Sequence, residues 1–350
     1  MGGKIDSAIT DFKYFIKDKK RKPLYKICYE LIRCWIRERT IPYYYFTGFL
    51  YRKDNNRYLD HISHKTAIKL KSKLNNSKDI DILENKLIFQ NYFSYCNISM
   101  PRMLAYSFNK NFFIFNKRYS VESYSYFKEV INTILQNSQI GSIFIKPLDG
   151  LGGKNTYKIK NIKEQEDQLK ELYKKIETQD FLFQETVIQN EVLSKVNPSS
   201  LNTVRIHTFY NEQGEIEIMS AMMKFGIKGG IVDNASSGGF MVPVDLESGR
   251  LLAKGFTPLK LGGKEYTLHP DSRITLKGFE IPHFDKVKEF VIKAGSYIPT
   301  LRLVGWDIGI TDTGPILIEG NAHFHLVNGD IVAGGLRKNK VFRTIIQKHL

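Results

Sequence analysis

Apolar residues recur at helical spacing through the first forty positions, with Leu24, Ile27, Leu31 and Trp35 three or four residues apart. Pro23 stands where a helix would start and Pro42 where one would stop. After a mixed stretch over 43–80 with a polar break at 71–79, the pattern predicts a helix over 85–97 and a strand after the NISMP segment (97–101). A short strand follows at 112–116 and a helix at 126–136. The apolar run 142–147 reads as a strand, 156–160 alternates as another, 164–176 is a polar amphipathic helix, and 181–185 is again a strand.

From Thr203 onward the texture is mostly β. Residues 203–210 and 215–223 form a predicted hairpin around 211–214. A glycine-rich segment (227–244) precedes a strand pair around 247–250, and a helix is predicted over 282–298. Two apolar strands, 303–311 and 315–321, close the pattern. The order implies an α+β protein with much antiparallel pairing. No internal repeat or low-complexity segment interrupts it.

Composition narrows the class. Hydrophobic residues make up 42% and charged residues 25% of 350 positions, which suits a globular chain of two or three domains. No apolar run approaches a membrane span. Cys28, Cys34 and Cys96 show neither paired nor metal-ligand spacing, which points to a reducing cytoplasm. The net charge of +16 is uneven: up to Lys78 there are 19 Lys and Arg against 7 Asp and Glu, so +12 lies there. Such a surface is either a solvated basic face or a contact for anions. Trp35, Tyr43–Tyr45 and aliphatic residues interleaved with the charges suit peripheral contact with an anionic membrane. No nucleic-acid-binding motif accompanies the charge, which disfavours nucleic acid.

The strongest chemical signal is GWDIGITDTGPILIEGN (305–321). With Asp312-Thr313-Gly314 as a three-residue loop, Thr311 faces Pro315 and Asp307 lies opposite Glu319. Two carboxylates facing each other across a strand pair repel. Asn321 shares their face, and Gly305 and Gly309 flank Asp307, which predicts open space above it. A hard cation, Mg²⁺, would remove the repulsion. A two-residue loop would instead separate the two acids onto opposite faces. The second signal is FIKPLDGLGGKN (144–155), which is strand, glycine loop, strand. Backbone N–H groups at Gly150, Gly152 and Gly153 would close over phosphate oxygens, and Lys146 would bring a charge to them. It is neither a P-loop nor a dinucleotide fingerprint, because no helix follows.

These segments, with QETVIQN (184–190), SLNTVRIHTF (200–209), VDNASSGGF (232–240) and HPDS (269–272), resemble the ATP-grasp superfamily, and within it the sugar-transfer-associated branch. The resemblance covers about 86–326. It implies an α+β ATP-grasp fold, a glycine-flap lid domain plus a C-terminal antiparallel-sheet domain, with a basic helical N-terminal region. The implied boundaries are 1–84 (basic helices), 85–125 (connecting part), 126–188 (lid) and 189–350 (catalytic domain). ATP is the implied cofactor, with two Mg²⁺ ions held by Asp307, Glu319 and Asn321, Glu319 bridging. Lys146 and Gly150–Gly153 would hold phosphates, and Lys86 would be a second nucleotide lysine. The backbone of the strand end 183–187, with Gln184, Glu185 and Val187, would read adenine, and Glu191 would bind ribose.

The resemblance implies a carboxylate–amine ligase working through an acyl phosphate, in bacterial surface polysaccharide synthesis, on a small-molecule or lipid-linked sugar substrate. Arg205 would hold the carboxylate by its fork or form a structural ion pair. Asn234 and the N–H groups of 237–239 would face a developing oxyanion. Lys224 stands where an arginine is expected, and Asn190 where the branch often shows a histidine. His323 and His325 are placed outside the metal set, His207 as a structural histidine, and His269 as a loop residue or substrate contact. Alternatives are a phosphotransferase, a peptide-type ligase away from sugars, or an inactive membrane-associated binding module.

Overall fold

Strand alternation decides the architecture. The computed structural model describes residues 2–150, 152–252 and 254–350. Its N-terminal part is helical: α1 (Gly2–Lys17), α2 (Leu24–Glu38), α3 (Tyr43–Thr47), α4 (His64–Leu74), α5 (Asp81–Glu84) and α6 (Lys86–Tyr95). Ser63 and Asn85 cap α4 and α6 by accepting N–H bonds from the first turn.

The first sheet contains β1 (Met103–Phe108), β2 (Asn111–Ile114), β3 (Lys117–Ser120), β4 (Ile143–Pro147), β5 (Tyr157–Ile159) and β6 (Phe181–Glu185), in the order β3-β2-β1-β6-β4-β5 and antiparallel throughout. Helices α7 (Tyr124–Gln136) and α8 (Glu166–Lys175) cover one face, burying Phe127, Ile131, Leu169 and Leu172 against Ile143, Ile145 and Phe183. The expected boundary at 125/126 runs through this unit, because β1 pairs with β6 across that point.

After α9 (Glu191–Val196) the second sheet is built from β7 (Val204–Tyr210), β8 (Ile216–Phe225), β9 (Phe240–Val244), β10 (Gly255–Phe256), β11 (Glu265–Tyr266), β12 (Leu303–Thr311) and β13 (Gly314–Asn321). Its order is β11-β10-β9-β8-β7-β12-β13, again antiparallel. Helix α10 (Phe284–Ser296) packs Val287, Val291 and Ala294 on the face that carries Ile206, Trp306 and Ile308. Helices α11 (Leu326–Val332) and α12 (Lys340–His349) end the chain.

The N-terminal helices do not stand apart. Phe15, Ile27, Tyr45, Leu50 and Leu70 share one core with Phe209, Leu303, Phe324 and Phe342. Helices α1 to α4 therefore build on the other face of the second sheet, while Leu83 of α5 joins the core on the α10 side. Buried polar contacts fasten them there. Lys22 Nζ lies 2.7 Å from Glu30 Oε2, which also accepts from the Tyr45 hydroxyl. His61 Nδ1 lies 2.7 Å from Asp330 Oδ2 on α11.

Breaking one partner of a buried pair leaves a desolvated charge. Lys22→Met is expected to lower stability by about 3 kcal/mol in urea unfolding. The double variant Lys22→Met/Glu30→Leu should recover at least about half of that loss, because it removes both charges. Equal losses in the two variants would mean that the pair is not the source.

Candidate active site

On β12 and β13, Asp307 faces Glu319 directly, as the sequence predicts, but by a different route. The turn is two residues long, with Thr311 paired to Gly314, Ile310 to Pro315 and Ile308 to Leu317. A bulge then absorbs Ile318 and shifts the ladder, so that Asp307 meets Glu319 and Gly305 meets Asn321. A second consequence is that Ile318 and Glu319 both line the cavity. The predicted open space is filled. A Cβ on Gly305 would lie 2.8 Å from the Phe324 ring, and one on Gly309 about 3 Å from Ile316 and Leu201. These glycines make room for neighbouring side chains rather than for a ligand.

Asp307 is fully engaged. Arg205, opposite it on β7, grips both carboxylate oxygens at 2.5 and 2.6 Å, and Lys224 from β8 reaches Oδ2 at 3.1 Å. Burial opposes its ionisation, yet Arg205 and Lys224 hold the carboxyl well below the usual carboxylate range. Lys224 also lies 3.3 Å from Asp233 Oδ1 and 3.4 Å from Asn234 Oδ1. Burial works against its charge, but Asp233 and Asp307 keep it protonated above the ordinary lysine range. The Nε and Nη2 groups of Arg205 are thus engaged in an ion pair, the second of the two roles read for it from the sequence. Asp233 has no assigned role in the sequence reading. It accepts from the Thr203 N–H and hydroxyl at 2.8 and 2.6 Å, while burial pushes its carboxyl upward. The signal for it was the VDN tripeptide itself.

The opposite wall comes from the first sheet. Alternation on β4 sends Ile143 and Ile145 to the core and Phe144 and Lys146 to the cavity. Lys146 is buried, and its ammonium has no hydrogen-bond or ion-pair partner among the described residues. Burial brings its pKa down to about 8, Glu319 pulling it up and Lys86 down again. Lys86, the first residue of α6, donates to the Gly150 carbonyl at 2.9 Å and lies 3.9 Å from Glu319 Oε1. Lys154 and Lys158 join the same lining, so cations surround the cavity.

The glycine loop closes over this space. Gly150, Gly152 and Gly153 all have positive φ, a conformation open to glycine at little cost. The hydroxyls of Ser236 and Ser237 donate to the Gly152 carbonyl at 3.2 and 3.1 Å, and a Cβ on Gly152 would collide with Ser236. Asn234 sits between Gly153 and Lys224. The N–H groups of 237–239 do not face the cavity as expected. They close the loop on itself, bonding the carbonyls of Asn234 and Ala235.

At the hinge, Gln184 is tied to Gln90 at 2.6 Å. The Glu185 carboxylate turns away to accept from Ser138 and Gln139, and its N–H goes to the Arg102 carbonyl. Only Val187 among the three expected hinge residues keeps a backbone N–H without a protein acceptor among the described residues, and it lines the cavity. Glu191 is not brought to the site: it is exposed on α9 and pairs with Lys195. Asn190 caps that helix and bonds Asp312. His323 and His325 are exposed. His207, stacked on Phe324 and bonded to Ser220, is pushed down to about 3 by burial and by Arg205. His269 bonds the Gly226 carbonyl. The cavity lies between the two sheets and brings Lys86, Lys146 and the glycine loop opposite Lys224, Asp307 and Glu319.

A family model described as sugar-transfer associated ATP-grasp matches residues 65–343. No curated protein matches the chain in sequence. Among solved structures, D-alanyl-alanine synthetase A from Vibrio cholerae is 14% identical, with a TM-score of 0.43, over 77% of this chain and 65% of its own. An N5-carboxyaminoimidazole synthetase from Staphylococcus aureus complexed with ADP is 13% identical, with a TM-score of 0.42, over 76% of this chain and 52% of its own. The VanG D-Ala:D-Ser ligase from Enterococcus faecalis is 14% identical, with a TM-score of 0.43, over 80% of this chain and 63% of its own. The chain spans less than two thirds of each. The family match, not these distant likenesses, bears on function.

A buried lysine without a partner costs stability until an anion arrives. Its penalty is complete below pH 8, where it is charged in the folded chain, and disappears as pH rises toward 10.5, where the unfolded lysine also loses its proton. Lys146→Met should therefore raise the stability of the nucleotide-free protein at pH 7 by up to about 3 kcal/mol, and by little above pH 10. Thermal unfolding across that pH range checks it, and a destabilised variant at pH 7 would refute the assignment.

Proposed function

Because the chain belongs to the sugar-transfer-associated ATP-grasp family, we propose that this ATP-grasp enzyme joins a carboxylate, from a sugar uronate or an amino acid, to an amine in bacterial surface polysaccharide synthesis. One of its substrates is a small-molecule or lipid-linked sugar. One observation carries the reading: Lys146, a buried residue whose ammonium has no hydrogen-bond or ion-pair partner among the described residues, lies under a glycine loop and across a cavity from two facing carboxylates. The loop leaves the N–H groups of Gly152 and Gly153 without acceptors among the described residues. Those donors and Lys146 are the chemistry that binds nucleotide phosphates.

The oxygen donors of Glu319, Asp307 and Asn321 fit a hard cation such as Mg²⁺. Glu319 is the readier ligand, since its side chain is 30% exposed while Asp307 is enclosed by Arg205 and Lys224. Bound there with a nucleotide, Mg²⁺ supplies neutralisation of phosphate charge during transfer. The protein's own contribution is positioning. Phe144, Leu201 and Ile318 offer apolar contact for a base, and the Val187 N–H offers a donor for its edge. Lys146 and Lys86 hold phosphates at one end. Lys224, with Asn234, stands at the other end, where an entering carboxylate exchanges with Asp307 or Asp233 for its donors.

In the reaction a carboxylate oxygen attacks the γ-phosphorus, the bond to the ADP oxygen breaks, and an acyl phosphate forms. The amine then attacks the acyl carbon, loses a proton and releases phosphate. The Ser236 and Ser237 clasp on Gly152 keeps the flap down, and so keeps water from that intermediate.

Calorimetry of ATP binding, with and without Mg²⁺, tests the site without knowledge of the substrates. Wild type should bind in a Mg²⁺-dependent way, and Glu319→Ala should lose that dependence. A chain that binds no nucleotide under any metal condition would overturn the reading. In turnover assays with candidate acids and amines, ADP with free phosphate and an amide supports the ligase. ADP with a phosphorylated acceptor would make it a phosphotransferase.

A further inference from the structure

Helix α2 is built inside out. Its inward face carries Ile27, Glu30, Cys34 and Glu38. Its outward face carries Leu24, Tyr25, Ile32, Trp35 and Ile36, with Cys28 and Tyr29 among them. Stepping 100° per residue, these outward residues form one continuous apolar arc.

Satisfied buried acids fix that orientation. Glu30 is held by Lys22 and Tyr45. Glu38 accepts from Ser63 N–H at 3.0 Å, from the Thr66 hydroxyl at 2.6 Å and from Arg337 at 2.5 Å. Turning the helix over would hide the apolar arc but strip both carboxylates of these donors. The arc is therefore left in water, an exposed hydrophobic patch of the kind that marks an interaction site.

Charge identifies the occupant. Lys26, Arg33 and Arg37 run along one edge of the arc, and Arg39 follows the last turn; all four are exposed. Both acids of α2 are buried, so its outward surface bears cations and no anion. A second copy docked by two-fold symmetry would set these cations against themselves. A nucleic acid would meet the cations but leave the apolar centre unmatched. An anionic lipid surface satisfies both, with aliphatic and aromatic side chains among the acyl chains and Lys and Arg at the headgroups. Among the described residues no helix is long and apolar enough to cross a membrane, so the contact lies along the surface.

We propose that the outward face of α2 docks this protein on an anionic membrane, burying Trp35 and its apolar neighbours at the interface with Lys26, Arg33 and Arg37 at the headgroups. The inference stands apart from the ligase reading, since it involves no residue of the nucleotide cavity.

The two tryptophans make the test direct. Trp35 is 57% exposed and Trp306 fully buried, so a change in emission on adding vesicles reports Trp35. Vesicles of phosphatidylcholine with about a third phosphatidylglycerol should shift the emission to the blue and co-sediment the full chain, at least about tenfold more tightly than phosphatidylcholine alone. Ile32→Glu/Ile36→Glu should lose both effects, and Arg33→Glu/Arg37→Glu should lose the preference for anionic lipid. All four side chains are exposed, and unchanged circular dichroism and ATP binding would confirm that the variants fold. Four results would overturn the proposal: no shift or sedimentation with anionic vesicles, equal binding to neutral vesicles, a lipid-free dimer that buries Trp35, or duplex binding without vesicle binding.

Discussion

A carboxylate placed in the middle of a β-sheet face needs compensation, and Asp307 obtains it from two cations on neighbouring strands. Arg205 is its direct cross-strand partner, and Lys224 reaches it from one strand further out. Asp233 then balances Lys224. The four charges cancel, which is why they can be packed away from water. Around this cluster the second sheet takes its register, the VDN loop its path, and the cavity its floor. The same pairing limits the chemistry, because Oδ2 of Asp307 already accepts from both Arg205 and Lys224 and Oδ1 accepts from Arg205.

The two walls of the cavity follow opposite designs. On the floor Asp307, Arg205, Lys224 and Asp233 pair among themselves, with Glu319 left at 3.9 Å from Lys86, while the roof holds its donors in reserve. Among the described residues Lys146 has no partner and the N–H groups of Gly152 and Gly153 have no acceptor, while Lys86 is tied to backbone carbonyls of the loop. A site whose acids are largely paired on one side and whose lysines line the other attracts a polyanion to the cationic side. The loop is held over that space by two serine hydroxyls on a single carbonyl, bonds weak enough to open for exchange.

The same sheet face serves two purposes along its length. At one end Leu303, Phe209 and Met219 are covered by the N-terminal helices and α12. At the other, Asp307, Arg205 and Lys224 meet the cavity. Phe324, stacked on His207 and filling the space over Gly305, is the divider between them. The N-terminal helices thus belong to the architecture of the catalytic sheet, and their basic outward surface is carried by the same body that holds the site.

Local pattern was enough for the elements whose neighbours lie close in the chain. Helical spacing located α2, α6, α7 and α10, alternation located β4, β6, β7, β12 and β13, and the glycine run located the flap. The facing of Asp307 and Glu319 was legible too, although the loop assumed for it was one residue too long and the bulge at Ile318 supplied the missing shift. A bulge is set by packing on both faces of a strand, which spacing alone does not encode. What the sequence by itself determined was the α+β class, the family and the cast of charged residues. Tertiary structure decided their partners. It paired Arg205 with Asp307, tied the Glu185 carboxylate to Ser138 and Gln139, left Glu191 in solvent and filled the room expected beside Gly305 and Gly309. It also buried Glu30 and Glu38 while exposing Trp35 and its apolar neighbours. In each case the deciding contact comes from residues distant in the chain, and a buried charge takes whichever partner the fold brings within reach.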